Sequence, residues 1–179
     1  MATAEATHLT GVFLVPIESR PDPRGSFAEL YRREWIPGGP EMVQANLSSS
    51  REGVLRGLHY HREQTDYWFL ISGVQFVGLY DLREGSPTQG QRLELRLDAG
   101  SDHHGLYIPP GVAHGFYAET DITLLYLVDR YFTGRDEYGV AWDDPGVGIE
   151  WPTAEPVLSE RDRDNPPLSE ALTFLAESG

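Results

Sequence analysis

The 179-residue chain contains no cysteine, which excludes a disulfide framework, a thiolate zinc site and a cysteine nucleophile. It also lacks long apolar runs; none approaches the ~18 residues of a membrane-spanning helix. The opening MATAEATHLT has neither the basic nor the apolar region of a secretory signal, so a cytoplasmic location is expected. Positive charge is scarce, with 14 Lys+Arg against 28 Asp+Glu and a net charge of −14. Such a field repels phosphate backbones and anionic bilayers, so neither nucleic acid nor membrane is an expected partner. A small anionic ligand stays admissible, because a few inward-facing arginines dominate a pocket locally. No internal repeat, low-complexity segment or linker divides the sequence.

What is present points to strands. Nineteen glycines and thirteen prolines punctuate short segments throughout. Between them QRLELRL alternates strictly, with Leu93, Leu95 and Leu97 on one face. DYWFLIS and VQFVGLYDL flank Gly73 as neighbouring strands, and DITLLYLVDRYF (121–132) reads as another. Many short strands without a long helical pattern predict an all-β sandwich or barrel. The tail differs: a proline pair, Ser169 as a candidate cap, then Ala171, Leu172 and Leu175 at helical spacing predict a short C-terminal helix. One domain over 1–179 is expected, with a barrel core at about 11–152 and the tail and helix at 153–179.

Chemistry concentrates in GVLRGLHYHREQTDYW (53–68). Alternate strand residues share a face, so His59 and His61 can point together into a barrel. His59, His61, Asp66 and the His114 of PPGVAH are one candidate ligand set; three imidazoles and a carboxylate suit a divalent first-row metal. Alternatively, His59 alone is a proton-abstracting base and the others are its surroundings. The spacing G-x5-H-x-H-x4-D-x6-G and the following Pro-x-Gly-x2-His resemble the two cupin motifs, which would make the fold a jelly-roll barrel of two antiparallel sheets, a double-stranded β-helix.

A wider resemblance covers about residues 11–168. DPRGSFAEL (22–30), VQANLSSSREGVLRGLHY (43–60), DLREGSPTQG (81–90), IPPGVAHGF (108–116), YLVDRYF (126–132), WDDP (142–145), IEWP (149–152) and LSERD (158–162) occur in the order found in dTDP-4-dehydrorhamnose 3,5-epimerases. The chain resembles that family, a cupin branch that works without metal or other cofactor. The resemblance implies an isomerase of a dTDP-4-keto-6-deoxy sugar, acting at one carbon or two, with His59 as base, Asp162 orienting it and Tyr126 as acid. It places Arg24, Phe27, Glu29, Gln44, Asn46, Arg56 and His114 in the substrate site. It also implies a homodimer in which DPRGSFAEL carries Arg24 towards the neighbouring subunit.

Three positions depart from the family's pattern. Asp66 stands where the family usually has a lysine, so an anion replaces a cation near the expected enolate oxygen. His61 and Phe132 replace, respectively, a commonly non-histidine residue and a tyrosine. His61 and Asp66 together restore two ligand types of metal-binding cupins. Three readings follow: a metal-free epimerase, a metal-dependent cupin enzyme, and a non-catalytic sugar-nucleotide-binding cupin. An intermediate arrangement, in which His61, Asp66 and His114 associate and leave His59 free, is compatible with the same spacing.

Overall fold

Short segments, the longer ones rich in aromatic and branched residues, form thirteen strands in the computed structural model, which describes residues 3–101 and 103–177. Met1, Ala2, Asp102, Ser178 and Gly179 of the expected 1–179 domain lie outside the described residues. In chain order the strands are β1 (Glu5–Ala6), β2 (Phe13–Pro16), β3 (Ser19–Asp22), β4 (Gly25–Ala28), β5 (Gln44–Ser50), β6 (Leu55–Tyr60) and β7 (Asp66–Ser72). There follow β8 (Val74–Asp81), β9 (Arg92–Asp98), β10 (His104–Ile108), β11 (Val112–Ala118), β12 (Ile122–Val128) and β13 (Tyr138–Gly139).

Two antiparallel sheets face each other in the jelly-roll manner. One runs β1-β2-β10-β7-β12-β5 and the other β13-β6-β11-β8-β9, while β3 and β4 form a separate hairpin. The inner faces meet in a core that includes Trp68, Leu70, Val77, Leu79, Leu106, Ile108, Phe116 and Leu124. The alternation of QRLELRL does what it predicts: Leu93 and Leu97 of β9 are buried in that core, and Leu95 packs against it. The last apolar run is shorter than expected. β12 stops at Val128, because the Asp129 carboxylate turns to accept the Thr65 N–H at 2.7 Å and ends the ladder with β7.

Two features place the site. At Gly57 φ is +130°, and a Cβ there would come within 2.7 Å of the Gly115 Cα and 2.9 Å of the His114 carbonyl. Only glycine allows β6 and β11 to approach so closely, and this sets His59 beside His114 in the register. The tail then crosses back. Val157 exchanges backbone bonds with Gly53 and Leu55, and two helices follow, α1 (Glu160–Arg163) and α2 (Leu168–Glu177). The C-terminal helix was expected, but Ser169 lies inside it and does not cap it. Helix α2 begins one residue earlier, where the Leu168 N–H donates to the Asp144 carboxylate at 2.9 Å. Among the described residues no helix is long and apolar enough to cross a membrane.

Candidate active site

A cavity of about 460 Å³ opens between the two sheets. Period-two alternation on β5 sends Gln44, Asn46 and Ser48 into it, and on β12 it sends Leu124, Tyr126 and Val128. Arg56, His59, His61, Asp66, Trp68 and His114 supply more of the lining, with Glu137 and Arg161 beside them. His59 belongs to one sheet and Tyr126 to the other, so they occupy opposite walls.

His59 is held from behind. Its Nε2 lies 2.5 Å from Oδ1 of Asp162, a residue 103 positions away in the chain. A carboxylate only accepts, so Nε2 donates and Nδ1 carries the lone pair of the neutral ring. Asp162 is itself buried and fixed by the start of α1. Ser159 caps that helix by accepting the Asp162 N–H at 3.0 Å, and its hydroxyl donates to Asp162 Oδ2 at 2.9 Å. Burial opposes ionisation of Asp162, but the bonds from His59 and Ser159 outweigh it and hold the carboxyl below its ordinary range. The ring is thus oriented by an anion that does not itself need to change protonation.

Tyr126 is set the other way. Burial, with the negative charges of Asp66 and Glu137, raises its phenol above the usual value against the pull of Arg56. The phenol therefore stays protonated at neutral pH.

A second polar group sits deeper in the cavity. His61, Asp66 and His114 are each at least nine-tenths buried and present ligand-type atoms within 4.8 Å of one another. His61 Nδ1 faces the Asp136 carbonyl at 2.5 Å and His114 Nδ1 faces the Val112 carbonyl at 2.9 Å. Asp66 accepts from Gln64 Nε2 at 2.8 Å and from Trp68 Nε1 at 3.1 Å. Burial lowers the His114 pKa to about 4, overriding the attraction of Asp66, and nearby His61 pushes the same way. Of the four candidate ligands read from the sequence, His59 stands apart: its Nε2 is committed to Asp162, and the cluster holds the other three. The intermediate arrangement is the one found.

The other expected site residues divide into two groups. Gln44, Asn46, Arg56 and His114 line the cavity, with Gln44 donating to Asn46 at 2.8 Å and Arg56 donating to Ser50 at 2.9 Å. Arg24, Phe27 and Glu29 do not. The Arg24 side chain is 90% exposed against Asp22, Phe27 is 64% exposed, and Glu29 pairs with Arg32. All three lie on or beside the β3–β4 hairpin, away from this cavity. Sequence reasoning missed Ser159, Gln64 and Trp68. Ser159 was within reach, since S-x-x-D is a helix-start signal; Trp68, two residues from Asp66 on one strand, was read only as an apolar strand residue.

Comparison with known proteins is consistent over most of the chain. The family model described as dTDP-4-dehydrorhamnose 3,5-epimerase matches residues 6–170. A dTDP-4-dehydrorhamnose 3-epimerase of Streptomyces niveus is 40% identical over 171 residues, covering 91% of this chain and 82% of the relative. A dTDP-4-dehydrorhamnose 3,5-epimerase of Streptomyces griseus is 38% identical over 169 residues, covering 89% and 84%. Among solved structures, a 4-keto-6-deoxy sugar epimerase from the novobiocin biosynthetic gene cluster of Streptomyces spheroides superposes with a TM-score of 0.89 at 35% identity, covering 97% of this chain and 91% of that one.

Proposed function

The chain belongs to the dTDP-4-dehydrorhamnose 3,5-epimerase family, and from that premise we propose how its own residues epimerise a dTDP-linked 4-keto-6-deoxy sugar. The observation that carries the reading is the His59–Asp162 pair on one wall of the cavity, facing the Tyr126 phenol on the other. A carbon beside a ketone is acidic enough to lose its proton to a positioned base. His59 Nδ1 takes that proton, and the C–H electron pair moves into the ring to form an enolate at the 4-keto oxygen. Asp162 stabilises the imidazolium, as a carboxylate behind a histidine does in hydrolytic triads. Tyr126 donates its proton to the opposite face of the carbanion carbon, which inverts the centre. The phenolate then recovers a proton, and His59 releases its own to solvent, so the protein ends as it began.

Binding of the nucleotide sugar is assigned to the cavity's polar rim. Arg56 is a suitable diphosphate partner, since guanidinium groups grip phosphate oxygens in pairs, and Gln44 and Asn46 offer amide donors and acceptors. The fate of Arg24 and Phe27 depends on assembly. Their exposed hairpin supports a homodimer in which they complete the neighbour's site.

Solvent exchange tests the reading directly. Incubated in deuterium oxide with a dTDP-4-keto-6-deoxy sugar, the protein is expected to label a ring carbon beside the ketone. His59→Ala is expected to abolish labelling while retaining dTDP binding. Labelling at an undiminished rate in His59→Ala would remove the histidine from the role of base.

A further inference from the structure

The enolate formed beside His59 needs a positive counterpart, and the chain contains no lysine: all fourteen of its Lys+Arg residues are arginines. The two arginines lining the cavity are already engaged, Arg56 with Ser50 and the Ser49 carbonyl, and Arg161 with Glu137. Meanwhile His61, Asp66 and His114 converge with no donor among them. Because carbonyl oxygens accept, each imidazole in its neutral form carries its proton on Nδ1 and turns an Nε2 lone pair inward. Both inward nitrogens stand 3.8 Å from the Asp66 oxygens, too far for a hydrogen bond. Two nitrogen lone pairs thus face a carboxylate held by Gln64 and Trp68 inside a buried pocket, an arrangement that a cation bridges.

We propose that His61, Asp66 and His114 bind one divalent first-row transition metal ion, and that this ion is the electrophile for the enolate oxygen. The site and its role rest on different observations, and the role also rests on the epimerase reading above. Two tetrahedral ligands with bonds of about 2.0–2.2 Å stand roughly 3.3–3.6 Å apart, so the 3.8 Å nitrogen–oxygen separations need to close by only a few tenths of an ångström around an ion. Two imidazoles with one carboxylate favour zinc, iron, cobalt, nickel or manganese over magnesium or calcium. The surrounding bonds are those that orient metal ligands elsewhere: each ligand histidine donates its other N–H to a carbonyl, and the carboxylate accepts from Gln64 and Trp68. Three protein ligands leave coordination positions for a substrate oxygen on the cavity side. His59, bound to Asp162, is outside the set and keeps its lone pair for the C–H proton. The family resemblance implies metal-free chemistry, so the inference is specific to a chain carrying His61 and Asp66.

The test strips the full-length protein with a chelator and titrates it with Co²⁺, read by visible absorption and by metal content after gel filtration. One ion per chain is expected, lost in His61→Ala and in the nearly isosteric Asp66→Asn, but retained in His59→Ala. Trp68→Phe removes a bond to Asp66 and is expected to weaken binding ~10–100-fold. Circular dichroism checks that each variant is folded. Stripping is expected to slow deuterium exchange into the sugar nucleotide ~10²–10³-fold, the usual effect of losing an oxyanion partner, with recovery on metal addition. Absent cobalt binding, or binding unchanged in folded Asp66→Asn, overturns the site. Full-rate exchange by stripped protein overturns the electrophile while sparing the epimerase reading. Metal-loaded protein that exchanges no ring C–H overturns that reading and the electrophile with it, and the titration alone then decides the site.

Discussion

Hydrogen-bond partners set two neighbouring histidines apart. His59 and His61 are two residues apart, yet one bonds a carboxylate from the C-terminal tail and the other a loop carbonyl. Asp162→Asn keeps the size of the partner and removes its charge. In the triad case such a change costs about 10⁴ in turnover by presenting the wrong tautomer, and a loss on that scale is expected here, with dTDP affinity nearly unchanged. Steady-state kinetics beside calorimetric binding would check it; an equal loss in both would reduce Asp162 to a scaffold residue. Tyr126→Phe is expected to separate the two half-reactions, since it removes the proposed acid and leaves the proposed base. Deuterium labelling should then survive better than formation of the inverted product, and equal losses would argue against the assignment. Most of these residues were legible from motif order. Which ring nitrogen is free was not, because it depends on partners 103 and 75 positions away.

Elements carry their own electrostatics. At the end of β8 the wholly buried Asp81 accepts from Arg83 Nε at 2.7 Å, Ser86 Oγ at 2.6 Å and Thr88 Oγ1 at 2.7 Å. Burial works against its charge, but Arg83 and the two hydroxyls prevail and lower its pKa from 3.8 to about 2. A depressed carboxyl stabilises the fold fully above its unfolded value and loses that stabilisation as pH falls towards the folded one. The window therefore runs from just below pH 3.8 down to about pH 2, and the shift corresponds to about 2 kcal/mol. Asp81→Asn is expected to lower stability by roughly that amount at neutral pH and to flatten the acid limb within that window. Urea unfolding at pH 7 and about pH 3 would measure both, and parallel acid limbs in the two proteins would contradict the assignment. A turn at REGSPTQG (83–90) was readable from its glycines and proline. That the buried Asp81 just before it anchors the turn was not, because burial is a property of the packed sheets.

The whole molecule leaves an apolar strip uncovered. Leu47 on edge strand β5 is 68% exposed and Ile71 on β7 is 45% exposed, both on the outer face of the six-stranded sheet. The β3–β4 hairpin stands nearby in the chain order with Arg24 and Phe27 unoccupied by their own cavity. A two-fold assembly buries the same patch on both copies. Light scattering at micromolar concentration is expected to give twice the chain mass, and Leu47→Glu to shift it towards the monomer, with Arg24→Ala weakening dTDP binding in the assembled form. A monomeric wild-type mass would leave Arg24 and Phe27 without a role in the site.

Sequence alone determined the fold class, because period-two alternation and glycine–proline punctuation are local and leave few all-β solutions. It also brought forward His59, Tyr126 and Asp162 as the candidate base, acid and orienting aspartate, since these lie in ordered motifs that survive being read in one dimension. Tertiary structure decided the rest. Only the packed barrel shows His59 turned to Asp162 and away from His61, Asp66 and His114, and only it shows that Arg24, Phe27 and Glu29 do not line the cavity of their own chain. The physical reason is the same in each case: a side chain's role follows from which partner satisfies it, and those partners come from strands and loops distant in sequence that meet only when the sheets close.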